Sequence, residues 1–324
     1  MGAVPETSFY VNERGVPWHG LGEGLGETPE KRLAQVKAGL DWEAEKQEMF
    51  LSSGGPVPGS YAVVRSTDSN VLGVVGAKYA VIQPRDLFEI VEACLTEGAK
   101  FETGGQLFNG RLIWALARTE GCVDAITGDE IKPYLLLTNT FDGSQNLQGC
   151  LTAVRAVCEN TIGAAIAEGE RHIKIRHTAG WTNKVAEARR ILGAAKSVFA
   201  GLQEELHLLA NTRLNFGSLD KFLDRMIPLP AAEKGAVLDR ALSDRATLGG
   251  LIMSPTGGEF GRGTLYQALS GITEFASHAF PAHRKVGTPE QRQERRFFDL
   301  VINTGGARTR FVEKAVKELA VLAE

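Results

Sequence analysis

The apolar periodicity of this chain changes once, near Thr182, and that change constrains the fold more than any other feature. Before it, apolar residues come in short runs or alternate with polar ones, which is the period of a strand. Tyr61 to Arg65 and Val71 to Val75 are two such runs, and the turn residues Ser66 to Asn70 between them predict a hairpin. Arg111 to Arg118, Lys132 to Thr138 and Asn146 to Cys158 predict three more strands. Helices interrupt this series. Thr28 followed by Pro29 reads as a helix start, and Asp86 is expected to cap a helix whose buried face is Leu87, Ile90, Val91 and Cys94. Asn160 and Thr161 open a short Ala-rich helix. Beyond Thr182 the spacing is helical: Ile191, Ala195, Val198, Leu202 and Leu206 mark the apolar stripe of a long helix reaching Ala210, and an amphipathic helix runs from Ala307. The expected fold is α+β. A mostly antiparallel sheet with packed helices occupies residues 1–180, including a loop arm over 1–45, and a largely helical region occupies 181–324.

Hydrophobic residues make up 43% of the chain and charged residues 23%, enough for a sizeable core in each part. No stretch has the apolar length needed to span a membrane, and no membrane partner is expected. The start, Met1 to Glu6, lacks the basic and apolar runs of a secretory signal, so a cytoplasmic location is expected. Cys94, Cys122, Cys150 and Cys158 are scattered without a CxxC pair and read as reduced, buried thiols. Neither a metal nor a cofactor is expected. His172 and His177 would project to opposite faces of a strand, and Cys150 and Cys158 lack the short spacing of a zinc knuckle.

The strongest local signal for function is charge. Between Arg171 and Arg190 the cations Arg171, Lys174, Arg176, Lys184, Arg189 and Arg190 face Glu187 alone, although the whole chain carries a net charge of −3. If Arg171 to Thr178 is a strand, His172, Lys174 and Arg176 share one face, while Ile173 and Ile175 turn to the core. A row of one sign suits a phosphate backbone, and Trp181 lies close enough in sequence to stack on a base. The competing account is a solvated strand face whose charges pair with acids such as Glu168 and Glu170. Two glycine-rich stretches carry less. Gly257 to Thr264 lacks the GK[ST] ending of a P-loop and reads as a loop capped by Thr264; Gly20 to Gly26 fails the dinucleotide spacing.

A set of motifs adds a resemblance. Val16-Pro17-Trp18-His19-Gly20-Leu21-Gly22 holds a large apolar plate beside a titratable ring on a stiff segment. With it go Tyr79-Ala80-Val81-Ile82-Gln83-Pro84, Leu137-Thr138-Asn139-Thr140-Phe141-Asp142-Gly143-Ser144, Val154-Arg155-Ala156-Val157-Cys158-Glu159-Asn160-Thr161 and Ile175-Arg176-His177-Thr178. Gly263 to Ala268 and Thr273 to His278 fit more loosely, with Leu265 and Tyr266 where a tryptophan is expected. In these stretches the chain resembles the phage/plasmid-like protein family, a domain of unknown function found in bacterial genomes, phages and plasmids. The resemblance singles out Trp18, His19, Asn139, Asp142, Arg155, Asn160 and His177, and it implies a bacterial host cell, but it supplies no reaction.

Basic strand and mobile-element resemblance together lead to one expectation: a homo-oligomeric protein that binds single-stranded nucleic acid, for binding or annealing in phage or plasmid DNA metabolism and recombination. The expected contacts are Arg171, His172, Lys174, Arg176, Trp181 and Lys184. Two alternatives stay open. One is an enzyme acting on a small molecule or nucleotide at a pocket near His19, Asn139 and His177; the other is a structural or host-interaction protein without catalysis.

Overall fold

A computed structural model describes residues 8–11, 22–94, 100–119, 123–124, 126–155, 172–181, 195–231, 235–280, 288–299, 303 and 306–323. The chain divides into two compact units. The first comprises residues 1–120, 134–151 and 168–195, and the second residues 121–133, 152–167 and 196–324.

The strands are β1 (Ser8–Val11), β2 (Glu23–Leu25), β3 (Ala44–Phe50), β4 (Pro56–Arg65), β5 (Val71–Gly76), β6 (Lys100–Leu107), β7 (Leu112–Arg118), β8 (Val123–Asp124), β9 (Glu130–Thr140), β10 (Leu147–Arg155) and β11 (His172–Ile175). In the large sheet the order is β11-β10-β9-β7-β6-β1-β2, antiparallel in its registered pairs except for the parallel pair β1–β2. β9 is an interior strand between β10 and β7, and from Ile131 to Thr140 every residue is buried, as in a strand covered on both faces. The predicted hairpin is present as β4–β5, with Tyr61 opposite Val75, and β3 adds a third strand to this smaller sheet. Gly73 of β5 is needed for packing: a Cβ there would lie 2.3 Å from Cα of Asp142.

Two helices belong to the first unit, α1 (Lys31–Lys37) and α2 (Pro84–Cys94). The predicted face of α2 is buried at Leu87, Ile90 and Val91, joined by Phe88, whose ring meets Phe101 at 5.6 Å; the Cys94 side chain lies outside the described set. Both helix starts differ from the sequence reading. The N-cap position of α1 is taken by extended Glu30, which makes no side-chain cap bond, rather than by Thr28. α2 begins at Pro84, so Asp86 lies within its first turn, and its carboxylate accepts from the Gln83 N–H at 2.8 Å. This is the N3 half of a capping box. The arm over 1–45 is also more ordered than loops, since β1, β2 and α1 come from it.

The second unit contains α3 (Ala195–Asn211), α4 (Leu219–Met226), α5 (Ala236–Met253), α6 (Leu265–Glu274), α7 (Pro289–Phe297) and α8 (Ala307–Glu318). The short β8–β9 pairing, Val123 with Ile131, also belongs to it. Phe222, Leu248, Ile252, Leu269, Ile272 and Leu322 form its core. α5 and α6 cross so closely that a Cβ on Gly271 would lie 2.4 Å from the Leu251 carbonyl oxygen. Thr264 occupies the N-cap position of α6 without capping; its hydroxyl donates instead to the Gly261 carbonyl at 2.7 Å. The predicted C-terminal helix is present as α8, and the long helix as α3; residues 156–171 and 182–194, with the Ala-rich helix and Ile191, lie outside the described set. Among the described residues no helix is long and apolar enough to cross a membrane.

Candidate nucleic-acid interface

β11 forms the end of the large sheet, and its placement follows from its own alternation. Ile175 pairs with Leu147 of β10, and both side chains are buried. Period two then turns Lys174 outward, opposite Gln148, and Arg176 outward one residue beyond the strand. His177 turns inward again. The exposed side chains of Lys174 and Arg176 make no hydrogen bond or ion pair among the described residues. At about 3.4 Å per residue they stand about 7 Å apart along the edge. The chain then tightens: Thr178 N–H donates to the Arg176 carbonyl and Trp181 N–H to the Thr178 carbonyl, each at 2.9 Å, leaving the Trp181 indole half-buried. Of the other expected contacts, His172 has its backbone in β11, while its side chain, Arg171 and Lys184 lie outside the described set.

Behind this edge, three of the quoted motifs meet. His177 is 8% exposed, and its Nδ1 lies 3.2 Å from the Ala80 carbonyl oxygen. Its own carbonyl accepts from the Ala80 N–H at 3.0 Å. The imidazole stacks on Tyr79 with ring centres 4.4 Å apart, and the Tyr79 hydroxyl donates to the Thr140 carbonyl at 2.7 Å. Asn139 donates through Nδ2 to the Ile82 carbonyl at 3.2 Å. Gln83 brackets Ala44, accepting from its N–H and donating to its carbonyl. The extended segment 79–83, which has no ladder of its own, is thus held by side chains from β9 and from the turn after β11.

Electrostatics agree with a structural role. Burial holds the His177 pKa below its ordinary value, only partly offset by the Ala80 carbonyl, so the ring is neutral and donates from Nδ1. Burial first, and the Asp142 carboxylate second, push the Tyr79 phenol well above its usual range, keeping its proton for Thr140. The Asn139 Oδ1 and His177 Nε2 atoms are buried without a hydrogen-bond partner among the described residues. Asp142 makes a turn: its Oδ1 accepts from Ser144 N–H at 2.9 Å and from the Ser144 hydroxyl at 2.6 Å, and Gly143 takes φ +72°.

Of the residues the resemblance singles out, the fold brings Asn139 and His177 to one segment and sets Asp142 beside Tyr79. Arg155 has its backbone in β10 with its side chain outside the described set, where Trp18, His19 and Asn160 also lie. Sequence reasoning assigned no role to Tyr79, Gln83 or Lys46. Lys46 Nζ donates to the Ala77 and Tyr79 carbonyls at 2.7 and 3.1 Å. Only the motif around Tyr79 could have signalled any of this. Among the described residues no three of His, Cys, Asp and Glu gather as metal ligands.

Compared with known proteins, the chain matches the model of one family, described as Domain of unknown function (DUF932), over residues 71–298, well over half its length. No curated protein and no solved structure matches it.

Proposed function

We propose that this chain, which belongs to the DUF932 family of domains of unknown function, binds single-stranded nucleic acid along the β11 edge. The observation that carries the proposal is the outward pair Lys174 and Arg176, both exposed and free of acid partners among the described residues, at the end of a strand and just beyond it, where the inward side chains Ile175 and His177 anchor the chain. Guanidinium and ammonium groups fixed at a regular repeat contact successive phosphates and release counterions. Trp181, in the turn that follows, offers a ring for stacking on a base. The resemblance to phage/plasmid-like proteins supports a setting in phage or plasmid DNA metabolism, with the chain working as a homo-oligomer in single-strand binding or annealing.

The competing account is that these cations guard an open sheet edge against pairing with other chains. Fluorescence anisotropy with a labelled single-stranded oligonucleotide at two salt concentrations separates the two. Affinity should fall as salt rises, and Lys174→Ala with Arg176→Ala should weaken binding across sequences. Losing two phosphate contacts lowers the slope of log K against log salt by about 1.4, at about 0.7 per contact on a single strand. Trp181→Ala should cost a further ~1–3 kcal/mol. No binding by the folded wild type at low salt, or an unchanged slope in the double variant, would overturn the proposal.

A further inference from the structure

The second unit contains a cleft of about 600 Å³, within the range of small-molecule sites. One wall is α3. Phe199, Leu202 and Leu206 fix this helix to the core, and the adjoining stripe Gln203, His207 and Asn211, spaced one helical turn apart, lines the cleft. Phe260 and Arg262, from the loop before α6, line it as well, together with Thr127 from the β8–β9 turn.

These walls are held in place. The Gly263 N–H donates to Oε1 of Gln267 at 2.8 Å, and Nε2 of the same amide donates to the Ile252 and Met253 carbonyls, each at 2.9 Å. The Tyr266 hydroxyl donates to Asp129 at 2.6 Å, tying α6 to the β8–β9 turn. Such bonds occupy several of the backbone N–H groups that a glycine-rich loop would otherwise turn toward an anion. Thr264 N–H donates to the Gly261 carbonyl and Phe260 N–H to that of Gly257. The cleft also offers a cationic side chain. Arg262 is exposed, and its guanidinium makes no hydrogen bond or ion pair among the described residues.

The lining thus combines one planar cation, a phenyl ring, an imidazole and two side-chain amides. Asn211 donates from Nδ2 to the His207 carbonyl at 2.7 Å, which fixes its amide with Oδ1 as an acceptor. Guanidinium matches phosphate, a phenyl face matches a planar ring, and amides match the donor and acceptor edge of a heterocycle. We infer that this cleft binds a phosphorylated ligand carrying a planar heterocycle, of the nucleoside monophosphate class.

Titration calorimetry on the full chain with adenosine monophosphate, adenosine and inorganic phosphate tests the inference. The monophosphate should bind with a dissociation constant below about 1 mM, and each fragment at least about tenfold more weakly. Arg262→Ala should weaken the monophosphate about tenfold, leave adenosine unchanged and leave the melting temperature unchanged, because the side chain holds nothing in the fold. Lys174→Ala with Arg176→Ala should bind the monophosphate as the wild type does, so failure at β11 and failure at this cleft read out separately. No heat of binding, phosphate alone binding as well as the monophosphate, or Arg262→Ala binding like the wild type would each overturn it.

Discussion

Acidification should destabilise this protein through His177, and replacing that residue should remove the effect. The imidazole is buried, stacked on Tyr79 and bonded to a backbone carbonyl, with no carboxylate paired to it among the described residues. Burial holds its folded pKa below the ordinary value of 6.5, to which it returns on unfolding. As pH falls the unfolded chain therefore takes up the proton first. Between the two pKa values the unfolded state binds more protons, so stability rises with pH. The contribution is fully present above the unfolded value and is lost as pH falls through it toward the folded one. One proton limits the slope to about 1.4 kcal/mol per pH unit. His177→Asn keeps an amide N–H near the Ala80 carbonyl and does not titrate. It should cost about 1–2 kcal/mol near neutrality through lost stacking and packing. Urea unfolding of both proteins between about pH 7.5 and pH 5 reads the difference. The wild type's advantage should shrink steadily on acidification. Asp86 and Asp244, which burial shifts upward, are common to both proteins, so their titration cancels in the difference. A constant difference across the range would refute the reasoning.

Two glycines give sharper tests of packing. Alanine is the better helix former by about 1 kcal/mol, yet Gly271→Ala should destabilise, because its Cβ would meet the Leu251 carbonyl oxygen at 2.4 Å; a raised melting temperature would show that α5 and α6 are not crossed so closely. Gly73→Ala should cost about 1–3 kcal/mol by pushing β5 off the Asp142 turn, read by urea midpoint, and an unchanged midpoint would count against that contact.

Legibility in the sequence followed locality. The β4–β5 hairpin, the buried face of α2, the alternation in β11 and the helix α8 are each specified by residues close together in the chain, and each is present. β3 was not readable, because Glu45, Gln47 and Glu48 are exposed and no apolar alternation marks it. β6 was hidden for another reason: Gly104 and Gly105 are poor strand formers that its neighbours β1 and β7 impose a ladder upon. The meeting of Asn139 and His177 on Ala80 and Ile82 depends on contacts between residues far apart in sequence, which no spacing rule reaches. Gln203, His207 and Asn211 carry no motif that would mark them in the sequence; it is the loop bearing Arg262 that turns their helix face into a wall.

The motifs that first suggest chemistry spend their polar groups on backbone, and this shifts attention to their neighbours. His177, Tyr79, Asn139 and Gln83 secure a segment that has no strand partner, and they do so from the inside of the fold. Period two then forces consequences outward. Because Ile175 and His177 must point in, Lys174 and Arg176 must point out, so one short sequence both closes the core and lays cations along the edge. A substitution that loosens the His177 latch should therefore also blur the cation spacing, whereas removing the cations should leave the latch intact. In the proposed function this asymmetry has a measurable form. Lys174→Ala with Arg176→Ala should change nucleic-acid affinity without changing stability, while His177→Asn should lower stability first and affinity with it. If His177→Asn lost stability but kept full affinity and salt slope, the spacing of the two cations would have no part in binding.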